Sequence, residues 1–398
     1  MTQSKPRRRS RLLLGAGIVG IAFSLRLIFA SLSVRLPEVV RATHLSAGWT
    51  SLLTTLPVLC LGLCAPLAPK LAGRFGIERT LAAALALIAA GTALRAAGPV
   101  WALFAFSILA GAAIATANVL LPSLVKRDFE DQTSLITGLY VMGISGGAAL
   151  AAAVTVPVER ALGGSWRLGL AMWAAPTLLA LLLWAPQSLR GRTGDAGEPV
   201  RRIRGLWRDR LAWQVAMFMG LQSALAFSAL TWLAPILRER GLGAVAAGLV
   251  LSVLILVQLV TCLATPALAV RARDQRPLAM LLVAGGTAGM LGLLFAPVAS
   301  LVFWALLQGL AQGGLFALAL TMVVLRSRDA DVAAHLSSMA QTIGYIPAAL
   351  APMAIGLLRA WTGSFAAVGG LFALLGIGLV WSGLGAARPA YVEARTGD

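Results

Sequence analysis

Twelve long apolar runs set the limits on what this chain can become. They lie at residues 12–34, 47–69, 80–98, 100–125, 133–157, 166–186, 211–234, 244–270, 277–296, 298–325, 333–358 and 364–386. A helix needs about 20 such residues to cross a hydrocarbon layer. Apolar residues make up 59% of the chain and charged residues 12%, against roughly a quarter charged in a soluble domain. A surface this apolar needs lipid as its solvent. The runs are continuous and do not alternate, which predicts helices and not a barrel. The expected fold is all-α and integral to the membrane, with twelve transmembrane helices in two pseudo-symmetric six-helix halves.

The symmetry is written in the sequence at an offset of about two hundred residues. Ala148-Ala149-Leu150-Ala151 returns as Ala348-Ala349-Leu350-Ala351, and Pro66 returns as Pro266. Gly164-Ser165-Trp166 returns as Gly363-Ser364-Phe365, and Arg127-Asp128 as Arg328-Asp329. Between the copies lies the longest polar stretch, 187–210, rich in arginine with Gly191, Gly194, Gly197 and Pro199. It predicts a flexible linker between an N-terminal half, 1–186, and a C-terminal half, 211–398. Two membrane halves around one linker imply a carrier whose halves rock about a central site.

The net charge is +18, from 33 Lys+Arg against 15 Asp+Glu. Placing both termini in the cytoplasm puts most of the basic residues on the inside, as the positive-inside rule requires. No basic patch is interleaved with stacking aromatics, so nucleic acid is not an expected partner. The basic start Lys5-Pro6-Arg7-Arg8-Arg9 resembles a signal peptide. The following run is too long for one, and an inside anchor for helix 1 is expected instead. Cys60, Cys64 and Cys262 lie within spans and lack a His or carboxylate companion, which argues against a metal site. No G-x-x-x-x-G-K-[ST] sequence occurs, so ATP is not the direct energy source. No cofactor is expected. The expected partners are the bilayer and a small-molecule solute, with the chain working as a monomer.

Leu71-Ala72-Gly73-Arg74-Phe75-Gly76-Ile77-Glu78-Arg79 follows helix 2. It resembles the loop motif of the major facilitator superfamily, with Arg74 and Gly76 matching and Gly73 standing where an Asp is usual. Further segments are similar to the cyanate and 2-nitroimidazole transporter family. They are Ala117-Asn118-Val119-Leu120-Leu121-Pro122-Ser123 in helix 4, Gly138-Leu139-Tyr140 in helix 5, Gln222-Ser223 and Trp232-Leu233 in helix 7, and Gly344-Tyr345-Ile346-Pro347 in helix 11. Helix 1 carries Leu25-Arg26 where the family reads Asn-Leu-Arg-Pro, but Ser24 replaces the Asn and Leu27 the Pro. The resemblance implies a transporter of the bacterial inner membrane. It also implies that helices 1, 4, 7 and 10 line a central cavity. The departure in helix 1 means that the family's substrate need not carry over.

Arg26 leads the candidates for solute binding. It sits mid-span, where even the gentlest scale assigns a cation a few kcal/mol. All Asp and Glu fall in loops or at span ends, so none is at hand to neutralise it. A guanidinium in that position suits an anion or an electron-rich planar solute. Aligning Pro37 with Pro235 places Gln222 opposite Ser24, one turn from the level of Arg26. Asn118 lies inside helix 4. Gln308 and Gln312 share one face of helix 10, and Gln341 and Tyr345 one face of helix 11. Tyr140 is a further candidate. Each amide could equally serve as interhelical glue. Arg35 and Arg41 read as outer topology or steering charges, and Arg95 as a lesser binding candidate. Gly143 and Gly147 predict close packing of helix 5. His44 and His335 are not placed to carry protons at the midplane. The expectation is a secondary active or facilitative transporter of a small anion or small polar organic solute. Two alternatives stand beside it: an exporter of amphipathic drugs, and a non-transporting membrane sensor or enzyme. The first lacks the Gly-Pro-x-x-Gly-Gly antiporter pattern, and the second lacks any nucleophile–base pair or extramembrane domain.

Overall fold

The computed structural model of the chain describes residues 8–129, 132–190, 203–328, 330–393 and 395–396. The expected linker therefore falls partly outside the described residues, as do Lys5-Pro6-Arg7 and Asp329. Among the described residues, fifteen α-helices make up to twelve spans. The first span is built from α1 (Arg8–Ser24) and α2 (Leu27–Thr43), and the second from α3 (Ala47–Leu63) and α4 (Leu67–Phe75). Then follow α5 (Ile77–Ala97), α6 (Val100–Asp128), α7 (Thr133–Ala161), and the sixth span from α8 (Trp166–Ala171) with α9 (Ala174–Arg190). The C-terminal set is α10 (Arg210–Glu239), α11 (Ala244–Arg271), α12 (Arg276–Phe295), α13 (Leu301–Leu325), α14 (Ala330–Thr362) and α15 (Val368–Ala386). The only strands among the described residues are β1 (Ile203–Arg204) and β2 (Arg395–Thr396), paired antiparallel. They tie the end of the linker to the C-terminal tail.

The order of helices agrees with the hydropathy runs, but several spans extend further, among them the first, the seventh and the eleventh. The first reaches Thr43, the seventh Glu239 and the eleventh Thr362. Each continues through charged residues that the apolar count stops at. The extension holds because those charges find partners on neighbouring helices, although the arginines outnumber the carboxylates. Arg238 Nη1 meets Glu38 Oε1 at 2.6 Å across the two halves, and Arg359 Nε meets Glu239 Oε2 at 2.8 Å.

Pro66 explains the second span's bend of 60° between α3 and α4, since proline cannot donate to the preceding turn. Its repeat mate Pro266 lies within the unbroken α11. The motif after α4 turns at Gly76, whose φ of +86° suits a residue without a side chain. The turn brings Glu78 against Arg127 at the end of α6, while the indole Nε1 of Trp184 donates to the Glu78 carbonyl at 2.9 Å. The C-terminal half repeats the device with neutral partners. Arg326 at the end of α13 donates to Gln275 and, at 2.8 Å, to the Ala386 carbonyl. On the Arg127 side the hydrogen bond to Asp128, helped by Glu78, holds the guanidinium's pKa above its ordinary value. Burial draws that of Arg326 down.

Small residues bring helices close, as lipid-embedded packing requires. Gly147 of α7 lies against the backbone carbonyl of Phe23 in α1, and Gly143 lies against that of Val19. Across the halves, Gly248 of α11 sits on the Ala152 backbone of α7, and Gly356 of α14 on Ser51 of α3. Ser33 Oγ of α2 donates to the Thr231 carbonyl of α10 at 2.8 Å. With Glu38–Arg238, these contacts draw the halves together on the side opposite the linker.

A methyl group at residue 147 would collide with the α1 backbone. Gly147→Ala should therefore lower stability by about 1–3 kcal/mol, the range for overpacking. The check is a drop in melting temperature of the purified protein against a Gly146→Ala control, where the added carbon meets open space.

Candidate functional site

The first span is interrupted in its middle. Its α1 part ends at Ser24, Leu25 and Arg26 leave the helical pattern, and α2 begins at Leu27. The Leu25 N–H bonds back to the Ala22 carbonyl at 3.1 Å, and the Ala30 N–H bonds to the Arg26 carbonyl at 3.3 Å. The helix is thus interrupted within a single span, among buried neighbours. Interrupted backbone at this depth is tolerated where protein or a cavity surrounds it.

Arg95 of α5 fixes the break in place. Its Nη1 donates to the Ile28 carbonyl at 3.1 Å and its Nη2 to Ser31 Oγ at 3.0 Å, and its side chain is buried. These bonds give Arg95 a structural post on the first turn of α2.

Arg26 stands at the break. Its guanidinium lies over the ring of Phe227 at 4.5 Å and over that of Phe29 at 5.7 Å. The two rings are 5.9 Å apart and tilted by 59°. Arg26 makes no ion pair and no side-chain hydrogen bond among the described residues, and it keeps partial exposure. A midplane arginine costs about 2.5–3.5 kcal/mol on the insertion scale. A desolvated cation–π contact returns about 2 kcal/mol. Two faces therefore offset most of the cost without a carboxylate and leave the N–H edge free.

Tyr140 of α7 and Tyr345 of α14 are the titratable groups within electrostatic reach of Arg26. They also reach each other. Tyr345 packs on Gly62 of α3, so the second span must be small at that point. Gln341 lies one turn along the same face of α14, exposed and bonded to Ser337 Oγ at 3.1 Å. Three predicted residues thus converge from both halves, with Gln341 a turn away.

The other amides are placed differently. Gln222 is fully buried, and its Nε2 donates to Ser223 Oγ at 2.9 Å. Its Oε1 accepts from Gln312 Nε2 at 3.1 Å. Gln308 is also fully buried, with its backbone and Cβ against Gly289 of α12. These three form part of the interior of the C-terminal half, where interhelical bonding accounts for the Gln222–Gln312 pair. Asn118 is half-buried on α6 and has no hydrogen bond among the described residues. Ser24 turns its hydroxyl back onto the Gly20 carbonyl at 3.0 Å and is buried.

Phe29 and Phe227 were not among the residues singled out from sequence. They are repeat mates: the Pro37–Pro235 alignment, an offset of 198 that also pairs Ser33 with Thr231, places one on the other. A search for aromatic pairs at equivalent positions near Arg26 would have found them.

A cationic, partly open centre between two helical halves defines a class of membrane carrier. Comparison with known proteins agrees. The profile described as the Major Facilitator Superfamily matches residues 12–352. The chain is 37% identical to an uncharacterized transporter, YycB, of Bacillus subtilis (strain 168), covering 94% of both chains. It is 38% identical to the 2-nitroimidazole transporter of Escherichia coli (strain K12), covering 90% of this chain and 91% of that one. It is 32% identical to the cyanate transport protein CynX of the same organism, covering 91% and 94%. Among solved structures, a D-xylose-proton symporter superposes with a TM-score of 0.74 at 17% identity, covering 95% of this chain and 97% of that one. The chain belongs to the Major Facilitator Superfamily and is a transporter of small solutes.

The stacking makes a quantitative expectation. Phe227→Leu keeps apolar bulk and removes the ring quadrupole, so it should destabilise by about 1–2 kcal/mol. In an Arg26→Leu background the same change should have little effect. A double-mutant cycle in melting free energy checks this, with a coupling of about 1 kcal/mol expected and strict additivity counting against the contact.

Proposed function

We propose that the chain moves a small, electron-rich, conjugated solute, a cyanate-like anion or a flat polar organic molecule, by alternating access around Arg26. The observation that carries this reading is a guanidinium with Phe29 and Phe227 packed together on one side of it, free of ion pairs among the described residues and within electrostatic reach of Tyr140 and Tyr345. Its free N–H edge suits an anionic or nitro oxygen or nitrogen, as a planar fork of donors does. The aromatic walls suit a flat body. The names of two relatives support this chemistry, since cyanate is a small anion and 2-nitroimidazole a flat nitro-aromatic.

In this reading the halves 1–186 and 211–398 are the rocking units, and 187–210 is their linker. Both termini and the linker face the cytoplasm of a bacterial inner membrane, as the charge asymmetry requires. The side opposite the linker is then the outer side, where the halves are drawn together. Solute enters or leaves past Gln341. Asn118, half-buried and without a hydrogen bond, remains a candidate contact. The same reading makes the protein a carrier without catalytic residues that works as a monomer. Ser24, bonded to its own helix, withholds the amide that related chains present there. We expect the selectivity of this carrier to differ from theirs accordingly.

Arg26→Lys keeps the charge and loses the fork. Binding of cyanate or 2-nitroimidazole to the purified protein should weaken about ten- to a hundred-fold, which corresponds to about 1.5–3 kcal/mol. The measurement is equilibrium binding on a variant with unchanged melting behaviour. Equal affinity in that variant would remove Arg26 from the site.

A further inference from the structure

A cavity lies on the side opposite the linker, the outer side in the reading above, well away from Arg26. It measures ≈ 540 Å3, and both halves build it. Leu36 and Arg41 come from α2, whereas Trp232, Arg238, Arg359 and Phe365 come from the C-terminal half. Arg41 is fifteen residues beyond Arg26, which separates the two by about 20 Å along the first span. The Ser33–Thr231 hydrogen bond stands between them.

The walls have two characters. On one side Trp232 and Phe365 meet edge to face with centroids 5.9 Å apart, and Trp232 Nε1 is held by the Pro352 carbonyl at 2.8 Å. This is a rigid aromatic floor. On the other side the charges do not cancel. Glu38 alone serves three guanidinium groups, at 2.6 Å from Arg238, 3.1 Å from Arg41 and 3.8 Å from Arg35. Arg35 also pairs with Glu159, and Arg359 with Glu239. Counting Arg35, Arg41, Arg238 and Arg359 against Glu38, Glu159 and Glu239 leaves one positive charge over. The guanidinium that carries it most loosely is Arg41, whose side chain is 70% exposed. Arg359 adds a cation over the Phe365 ring at 5.4 Å.

We propose that this cavity binds an amphipathic aromatic monoanion from outside and that the bound molecule holds the outer side closed. The ring rests on Trp232 and Phe365, and the anionic group takes the surplus charge between Arg41 and Arg359. Outward opening must pull α2 away from α10 and α14, which separates the walls. A ligand that touches both walls binds the closed form better and shifts the equilibrium by that difference. It would therefore slow transport without competing for the Arg26 site.

The probe is 2-naphthalenesulfonate, charged at every working pH, with naphthalene as the neutral control. Equilibrium binding is measured on the purified full chain in lipid nanodiscs. We expect one saturable site, raised melting temperature on binding, and no saturable binding of naphthalene. Arg41→Gln and Arg359→Gln should each weaken binding about ten-fold, the loss of one charge-assisted hydrogen bond. Arg26→Lys should leave it unchanged. Arg41 is exposed enough for its replacement to preserve the fold, and equal melting temperatures of the free variants verify this. Binding that follows Arg26 and not Arg41 and Arg359 would overturn the proposal, as would affinity unchanged in both outer variants. Partition of the probe into lipid without saturation would overturn it too.

Discussion

A single cation in a low-dielectric interior organises this molecule. Arg26 sits mid-span with no acidic partner, and everything near it answers that fact. Two phenyl rings lie together on one side of its guanidinium. The helix breaks at its backbone, and Arg95 pins the resumed helix through Ile28 and Ser31. An acid beside Arg26 would have satisfied the charge more simply, but it would also have occupied the edge that a solute needs. Aromatic faces stabilise a guanidinium while leaving its donors unspent. Stabilising a mid-span charge through aromatic rings on one side, with its donors left open, is what would let the proposed site take a ligand.

Charges elsewhere follow the opposite logic. At the span ends opposite the linker, arginines pair with carboxylates, as in Glu38–Arg238 and Arg359–Glu239. Such pairs are spent on structure. Glu38–Arg238 joins the two halves, whereas Glu78–Arg127 and the neutral Gln275–Arg326 pair staple loops within one half each. Comparing the two staples shows what the repeat preserves. The position of the arginine at the end of the fourth helix of each half is kept. The identity of its acceptor is not, because a carbonyl or amide oxygen can do the work of a carboxylate.

Much of this was legible in the residues, for physical reasons that can be named. Lipid demands long apolar helices, so the spans and their order stood out, and small-residue spacing pointed to the tight contact of Gly143 and Gly147 with α1. The span ends beyond 34, 234 and 358 were not legible. Their charges look like loop residues until a partner from another helix is in place. The break at Leu25–Arg26 carries neither glycine nor proline, so no local rule marks it. The glutamines show the limit of spacing arguments. Gln308 and Gln312 do share a face of α13, but only tertiary packing reveals that Gln312 bonds to Gln222 inside the C-terminal half. Phe29 and Phe227 were within reach through the repeat, yet an isolated phenylalanine in an apolar span gives no signal of its own.

The missing carboxylate also bears on energetics. If the proposed site takes a monoanion, the empty centre carries one positive charge and the loaded centre none. Moving an elementary charge through the membrane potential is worth about 2.3 kcal/mol per 100 mV. The rocking of the empty carrier and that of the loaded carrier would then respond differently to voltage without any side chain having to gain or lose a proton. A neutral solute such as a nitro-aromatic would leave the charge in place and remove that difference. The charge of the solute, and not a protein carboxylate, would thus decide how this carrier feels the membrane potential.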